Sequence, residues 1–128
     1  MLETFRPNSA DRIHLKTKGK IVFVPLRSIY WLESAGNYVE VFIGKQGERF
    51  LVRETLSSFE ERLDAKRFVR IHRSVIVNTE RIREMRPRYT GEYHVTLDNG
   101  KELTLSRGYR SNLRRLFEVR LTATDLAS

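Results

Sequence analysis

A mainly antiparallel β fold, with about ten short strands and two short helices, is the architecture this sequence predicts. Three observations lead there. Apolar and polar residues alternate with a period of two over most of the chain. Strands do not alternate with helices, as the βαβ units of a parallel sheet require. Only two segments carry the three-to-four-residue apolar spacing of an amphipathic helix.

The elements follow in order. Ile13 and Leu15 alternate with Arg12, His14 and Lys16, TKGK supplies a turn, and IVFV resumes an extended run, so the segment reads as a hairpin. Ile29 to Leu32 and Tyr38 to Ile43 form a second pair around ESAGN. In the latter strand Val39, Val41 and Ile43 share one face, and Tyr38, Glu40 and Phe42 the other. GKQG then turns the chain into ERFLV. In TLSSFEERLDAK, Leu56, Phe59 and Leu63 lie on one helical face, and Ser57 with Glu60 has the spacing of a capping box. FVRI and VIVN are apolar runs separated by His72, Arg73 and Ser74. Asn78-Thr79 is expected to be structural, ending the strand or capping the turn into ERIREM. HVTLDNGKELTL predicts a hairpin with Val95, Leu97, Leu103 and Leu105 inward and a type I′ turn at Asn99-Gly100. In SRGYRSNLRRLF, Tyr109, Leu113, Leu116 and Phe117 share one helical face while Arg110, Arg114 and Arg115 point elsewhere.

At 128 residues the chain is expected to be one domain, residues 11–120, with a flexible lead at 1–10 and a flexible tail at 121–128. No apolar run approaches the roughly 18 residues of a membrane span, and no secretory signal pattern opens the chain, so a cytoplasmic location is expected. The absence of cysteine excludes disulfides and thiolate chemistry. The formal net charge of +8 is lopsided: residues 1–65 carry 10 basic and 9 acidic side chains, residues 66–128 carry 14 and 7. Twelve of those 14 basic residues are arginine, the side chain that pairs bidentately with phosphates and guanine edges. That composition raises a nucleic-acid partner as a reading, and charge alone leaves it level with a well-solvated surface.

Catalysis has little to stand on. His14, His72 and His94 are far apart and lack partners at metal-ligand spacing, and His14 and His94 alternate with core residues on a solvated face. The glycines match no phosphate-binding loop. His72 and Ser74 have no third member to complete a nucleophilic site. No enzyme activity, metal, cofactor or small-molecule substrate is therefore expected.

The polar insert His72-Arg73-Ser74 could shape a turn, or it could present donors to phosphates and bases from a rigid edge. ESAGNYVEV and LSRGYRSN repeat the combination of glycine, polar donor and tyrosine at a strand end, through Asn37 and Tyr38 in one and Arg107, Tyr109 and Arg110 in the other. Three such loops in a basic domain suggest a row along one edge. Strands lie about 4.8 Å apart and successive major grooves on one DNA face about 34 Å apart, so about seven strands side by side would span them.

From about Arg12 to Phe117 the sequence resembles the LytTR DNA-binding domain of bacterial transcription regulators, in IVFVPLRSIYWLESAGNYVEV, FVRIHRSVIVN and LTLSRGYRSNLRRLF. The resemblance implies an elongated β fold that inserts loops into successive major grooves of double-stranded DNA, bends it, and occupies repeated elements as two copies. It implies base contacts at Asn37 or Tyr38, at Arg73 and at Arg107. Lys18, Lys20, His72, Ser74, Tyr109 and Arg110 would contact phosphates or support the loops. A free-standing regulator and a domain excised from a longer response regulator both remain open. Two other readings are carried forward. One is an RNA-binding β module stacking bases on Tyr30, Trp31, Tyr38, Phe42 or Tyr93. The other is a protein-interaction domain with a basic face.

Overall fold

The computed structural model describes residues 11–118. Ten strands and two α-helices follow one another: β1 (Arg12–Thr17), β2 (Lys20–Pro25), β3 (Ile29–Ala35), β4 (Tyr38–Ile43), β5 (Glu48–Val52), α1 (Leu56–Arg62), β6 (Phe68–His72), β7 (Val75–Asn78), β8 (Ile82–Pro87), β9 (Tyr93–Leu97), β10 (Glu102–Leu105) and α2 (Leu113–Glu118). Short 3-10 segments at Leu26–Ser28, Thr79–Arg81 and Arg107–Asn112 link them. The fold is mainly β, as expected. The lead at 1–10 and the tail at 121–128, expected to be flexible, lie outside the described residues.

All pairings are antiparallel and fall into three sheets, β1-β2, β10-β9-β8 and a central β5-β4-β3-β7-β6. The largest sheet thus has five strands, so seven side by side is not how this domain reaches along a partner.

Both faces of the central sheet are buried. On one, Leu32, Val39, Val41, Val52, Phe68 and Ile76 pack with Ile13 and Leu15 of the β1-β2 hairpin and with Leu56, Phe59 and Leu63 around α1. On the other, Trp31, Val69, Ile71, Val75 and Val77 meet Val95, Leu97, Leu103 and Leu105 of the three-stranded sheet, and Leu116 of α2. Each buried aliphatic side chain contributes roughly 1.5–3 kcal/mol relative to exposure. A sheet covered on both sides reads as continuous apolar runs, which is why VIVN lacks alternation. The run IYWL has a further cause. A bulge between Ile29 and Trp31 turns both Tyr30 and Trp31 to the same core.

Several local expectations are corrected. Thr55, not Ser57, caps α1: its hydroxyl accepts from the Ser58 N–H at 3.0 Å, and Glu60 pairs with Arg70 instead. The hairpin at Asp98–Gly100 is a three-residue loop, closed by the Gly100 N–H donating to Leu97 O and the Leu97 N–H to Lys101 O, at 2.9 and 2.8 Å. Gly100 alone takes positive φ there, so the turn is not type I′. The paired positive φ values of a type I′ turn occur at Lys18 (52°) and Gly19 (76°). The second helical segment begins as a 3-10 turn, and Phe117, expected inward, is 54% exposed. Buried Asn78 has the structural role expected. Its Nδ2 donates to Ile29 O at 2.8 Å and its Oδ1 accepts from the Glu80 N–H at 3.0 Å.

Candidate nucleic-acid interface

The antiparallel registers carry three loops to one end of the domain. Ala35 pairs with Tyr38, leaving Gly36 and Asn37 as a two-residue turn in which Gly36 has φ +65°. That value at the first central position suits a type II′ turn, which a side chain would strain. Next to it, His72 pairs with Val75 across Arg73 and Ser74. The strand therefore runs through His72, one residue further than the sequence suggested. The third loop leaves β10 at Ser106 and enters the 3-10 turn through Arg107.

Backbone hydrogen bonds tie the three together. The Ser34 N–H donates to Ser74 O at 3.0 Å, joining the first loop to the second. The Ser106 N–H donates to Ile71 O at 2.9 Å, joining the third to the second, and Asn112 Nδ2 adds a bond to Arg70 O at 2.7 Å. Bonds at the loop bases fix relative positions that free loops would lack.

Within the middle loop the polar residues divide their roles. The Ser74 N–H donates to His72 Nδ1 at 3.1 Å, with Ser74 Oγ 2.9 Å from the same nitrogen. Because Nδ1 accepts a backbone N–H, the ring proton belongs on Nε2. His72 and Ser74 thus brace the turn. Arg73 is exposed at its tip.

Sequence reading missed the residue that organises this turn, Arg70. Its Nε donates to His72 O at 3.0 Å, its Nη2 donates to Arg73 O, and its Nη1 meets Glu60 Oε1 at 2.9 Å. The guanidinium also lies 6.0 Å from the Tyr109 ring centre, linking the second loop to the third. A single arginine in FVRIH gives no sequence signal for this. Only the bulge between Arg70 and His72 aims the side chain along the loop.

Arg107 and Arg110 are exposed and Tyr109 is half-buried. A Cβ placed on Gly91, in the β8-β9 turn, would lie 2.9 Å from Arg107 Cδ and 3.8 Å from Arg110 Nη1, so that turn packs under both side chains. Tyr38 is 39% exposed beside Asn37. Lys18 and Lys20 are exposed around the β1-β2 turn, which Thr17 Oγ1 anchors by donating to Leu51 O at 2.8 Å. Leu51 lies opposite Glu40, two residues from Tyr38, so the lysines approach the same end from across β5 and β4. They make no hydrogen bond to the three loops.

Among the described residues no group of three histidine, cysteine, aspartate or glutamate side chains could hold a metal, and no helix is long and apolar enough to cross a membrane. One shallow cavity of about 270 Å³ is lined by Thr79, Ile82, Met85, Tyr93, Leu116 and Phe117, and a more open one of about 580 Å³ by Arg110, Ser111, Leu113, Arg114, Arg115 and Phe117.

A basic antiparallel β domain with bonded, arginine-bearing loops at one end belongs to the class of nucleic-acid-binding modules. The chain is a member of the LytTR family: the model for the LytTr DNA-binding domain matches residues 19–118. The solved LytTr DNA-binding domain of a response regulator from Bacillus cereus superposes with a TM-score of 0.72, at 28% identity, over 84% of this chain and 96% of that one. The sensory transduction protein LytT of Bacillus subtilis is 29% identical over 108 residues, 84% of this chain and 44% of that protein. The transcriptional regulatory protein LytR of Staphylococcus aureus is 36% identical over 61 residues, 48% of this chain and 25% of that protein. The chain therefore spans less than half the length of these curated relatives. DNA binding in transcription regulation is the function of this domain family, which is not a family of enzymes.

Proposed function

We propose that this domain binds double-stranded DNA in a sequence-specific manner, inserting its loops into successive major grooves and bending the duplex, with two copies occupying repeated elements. The supporting observation is the bonded row of three loops at one end of the fold, each exposing a polar or basic tip. Arg73 and Arg107 read base edges, and Asn37 or Tyr38 contributes a contact from the first loop. Lys18, Lys20 and Arg110 neutralise phosphates, while His72, Ser74 and Tyr109 support the readers. With a five-stranded sheet, one domain reaches a second groove by bending the DNA around its end rather than by spanning it flat.

Three of the five aromatic side chains of the single-stranded RNA reading are closed to bases, while Tyr38 and Tyr93 are partly exposed. Tyr30 and Trp31 are 2% and 4% exposed, and Phe42 stacks on Trp31 with ring centres 4.0 Å apart, so none offers an open stacking face. A bidentate arginine–guanine pair contributes about 1–3 kcal/mol of discrimination. Arg73→Ala and Arg107→Ala should each lose about tenfold or more in preference for the cognate duplex, while keeping salt-sensitive binding to unrelated DNA. Competition binding against unrelated duplex reads this directly. Undiminished preference in either variant removes that arginine from the base-reading role.

A further inference from the structure

The β8-β9 turn forms a fourth loop at the same end, and none of the three sequence motifs includes it. Register places it there: Leu105 pairs with Tyr93, so the start of β9 lies beside the end of β10, where the chain enters Arg107. The turn is well ordered by its own bonds. The Gly91 N–H donates to Arg88 O at 3.0 Å, the Arg88 N–H to Glu92 O at 2.9 Å, and Gly91 takes φ +93°. This is the pattern of a three-residue hairpin loop, a type I turn closed by a left-handed glycine.

Tyr89 sits at that tip and is 99% exposed, more than any other large hydrophobic among the described residues. A lone exposed aromatic is ordinary on a protein surface. This one follows Arg88 in a turn that Arg107 and Arg110 overlie at Gly91. Arg88 adjoins it, exposed, with Nη1 in contact with His94 Nε2. Arg86 is exposed on the preceding strand, where it pairs with Glu84 at 2.7 Å. Arg107 and Arg110 lie over Gly91. The acidic side chain within the turn, Glu92, accepts a hydrogen bond from Thr90 at 3.3 Å. The turn thus carries an exposed phenol next to Arg88, with Arg107 and Arg110 lying over its Gly91.

We propose that the β8-β9 turn is a further DNA-binding element, in which the Tyr89 hydroxyl and the Arg88 guanidinium hold the sugar–phosphate backbone beside the groove that Arg107 enters. The inference rests on the duplex-DNA reading above. Phosphate oxygens accept from both groups, and such contacts set register and affinity without reading sequence. The turn also backs the Arg107 side chain, so seating it on the backbone fixes the depth at which Arg107 meets base edges.

The test uses the full chain and a duplex carrying the site that the wild-type protein enriches. One form ends flush on the side facing the Arg107 loop, and another is extended there by about 5 base pairs, half a helical turn. Titrations at several salt concentrations compare wild type with the Tyr89→Ala/Arg88→Ala double variant; both side chains are exposed, and circular dichroism verifies the fold. On the extended duplex the double variant should bind about five- to tenfold more weakly, with a salt slope lower by about 1. On the flush duplex the two proteins should bind alike. Equal affinity and slope on both duplexes, with Arg107→Ala still losing site preference, overturns this inference and leaves the function intact. A wild type without any site preference overturns the function and this inference with it.

Discussion

Replacing Arg70 with alanine should destabilise the domain through the middle loop. The substitution removes two hydrogen bonds from a charged donor, to His72 O and Arg73 O, and the ion pair with Glu60. Bonds involving a charged group contribute about 1.5–3 kcal/mol each when both partners are buried. Arg70 is 13% exposed in its side chain, but Arg73 lies in solvent, so water re-bonds part of what is lost and the lower end applies. Glu60 is 44% exposed in its side chain, and its pairing adds less than about 1 kcal/mol. The expected loss is about 2–3 kcal/mol, a fall in Tm of about 10 °C or more for a domain of this size. Urea unfolding followed by circular dichroism and by the fluorescence of buried Trp31 measures it, with Glu60→Gln as the control costing under about 1 kcal/mol. A loss below about 0.5 kcal/mol for Arg70→Ala would refute the bracing role assigned to this side chain.

Asn78→Ala should cost about 2–3 kcal/mol, because it deprives the buried Ile29 carbonyl and the Glu80 N–H of their partner; equilibrium unfolding checks this. For Glu54, burial alone would push the carboxyl up, but hydrogen bonds from Arg62 and Ser58, together with the charges of Arg62 and His14, hold it below its ordinary value of 4.5. A depressed folded-state pKa gives stability that is present above the unfolded value and is lost as pH falls through the folded one. The stability gap between wild type and Glu54→Gln should accordingly be full at neutral pH and close in acid below about 4.5; a gap that widens in acid contradicts the assignment. Gly91→Ala places a methyl group against Arg107 and strains a φ of +93°, so it should reduce site preference in competition binding. Because it acts through Arg107, adding it to Arg107→Ala should reduce preference no further.

Much of the fold was legible because the strands on its periphery keep one solvated face. Ile13 and Leu15 alternate with exposed neighbours, and so does the β9-β10 hairpin in part. Turn types were less legible. Asn99-Gly100 and Lys18-Gly19 both offer a glycine, but the number of residues between paired strands decides the turn, and that depends on register set by packing elsewhere. The α1 cap moved to Thr55 because Glu60 is drawn into a pair with Arg70 ten residues on. Division of ten strands into sheets of two, three and five rests on contacts distant in sequence, such as Trp31 with Val77, which a local pattern does not encode. The loop tips of the candidate interface stood out as polar breaks in apolar runs. Arg70 and Tyr89 did not, since one looks like a strand's polar face and the other like an ordinary turn residue.

Selection of bound sequences from a pool of random duplex DNA tests the central claim most directly. The wild-type protein should enrich a motif of two repeated elements, and Arg73→Ala and Arg107→Ala should flatten it at separate positions. A pool that stays random after repeated rounds, while the protein remains folded and binds DNA only in proportion to its charge, would contradict sequence-specific recognition by these loops.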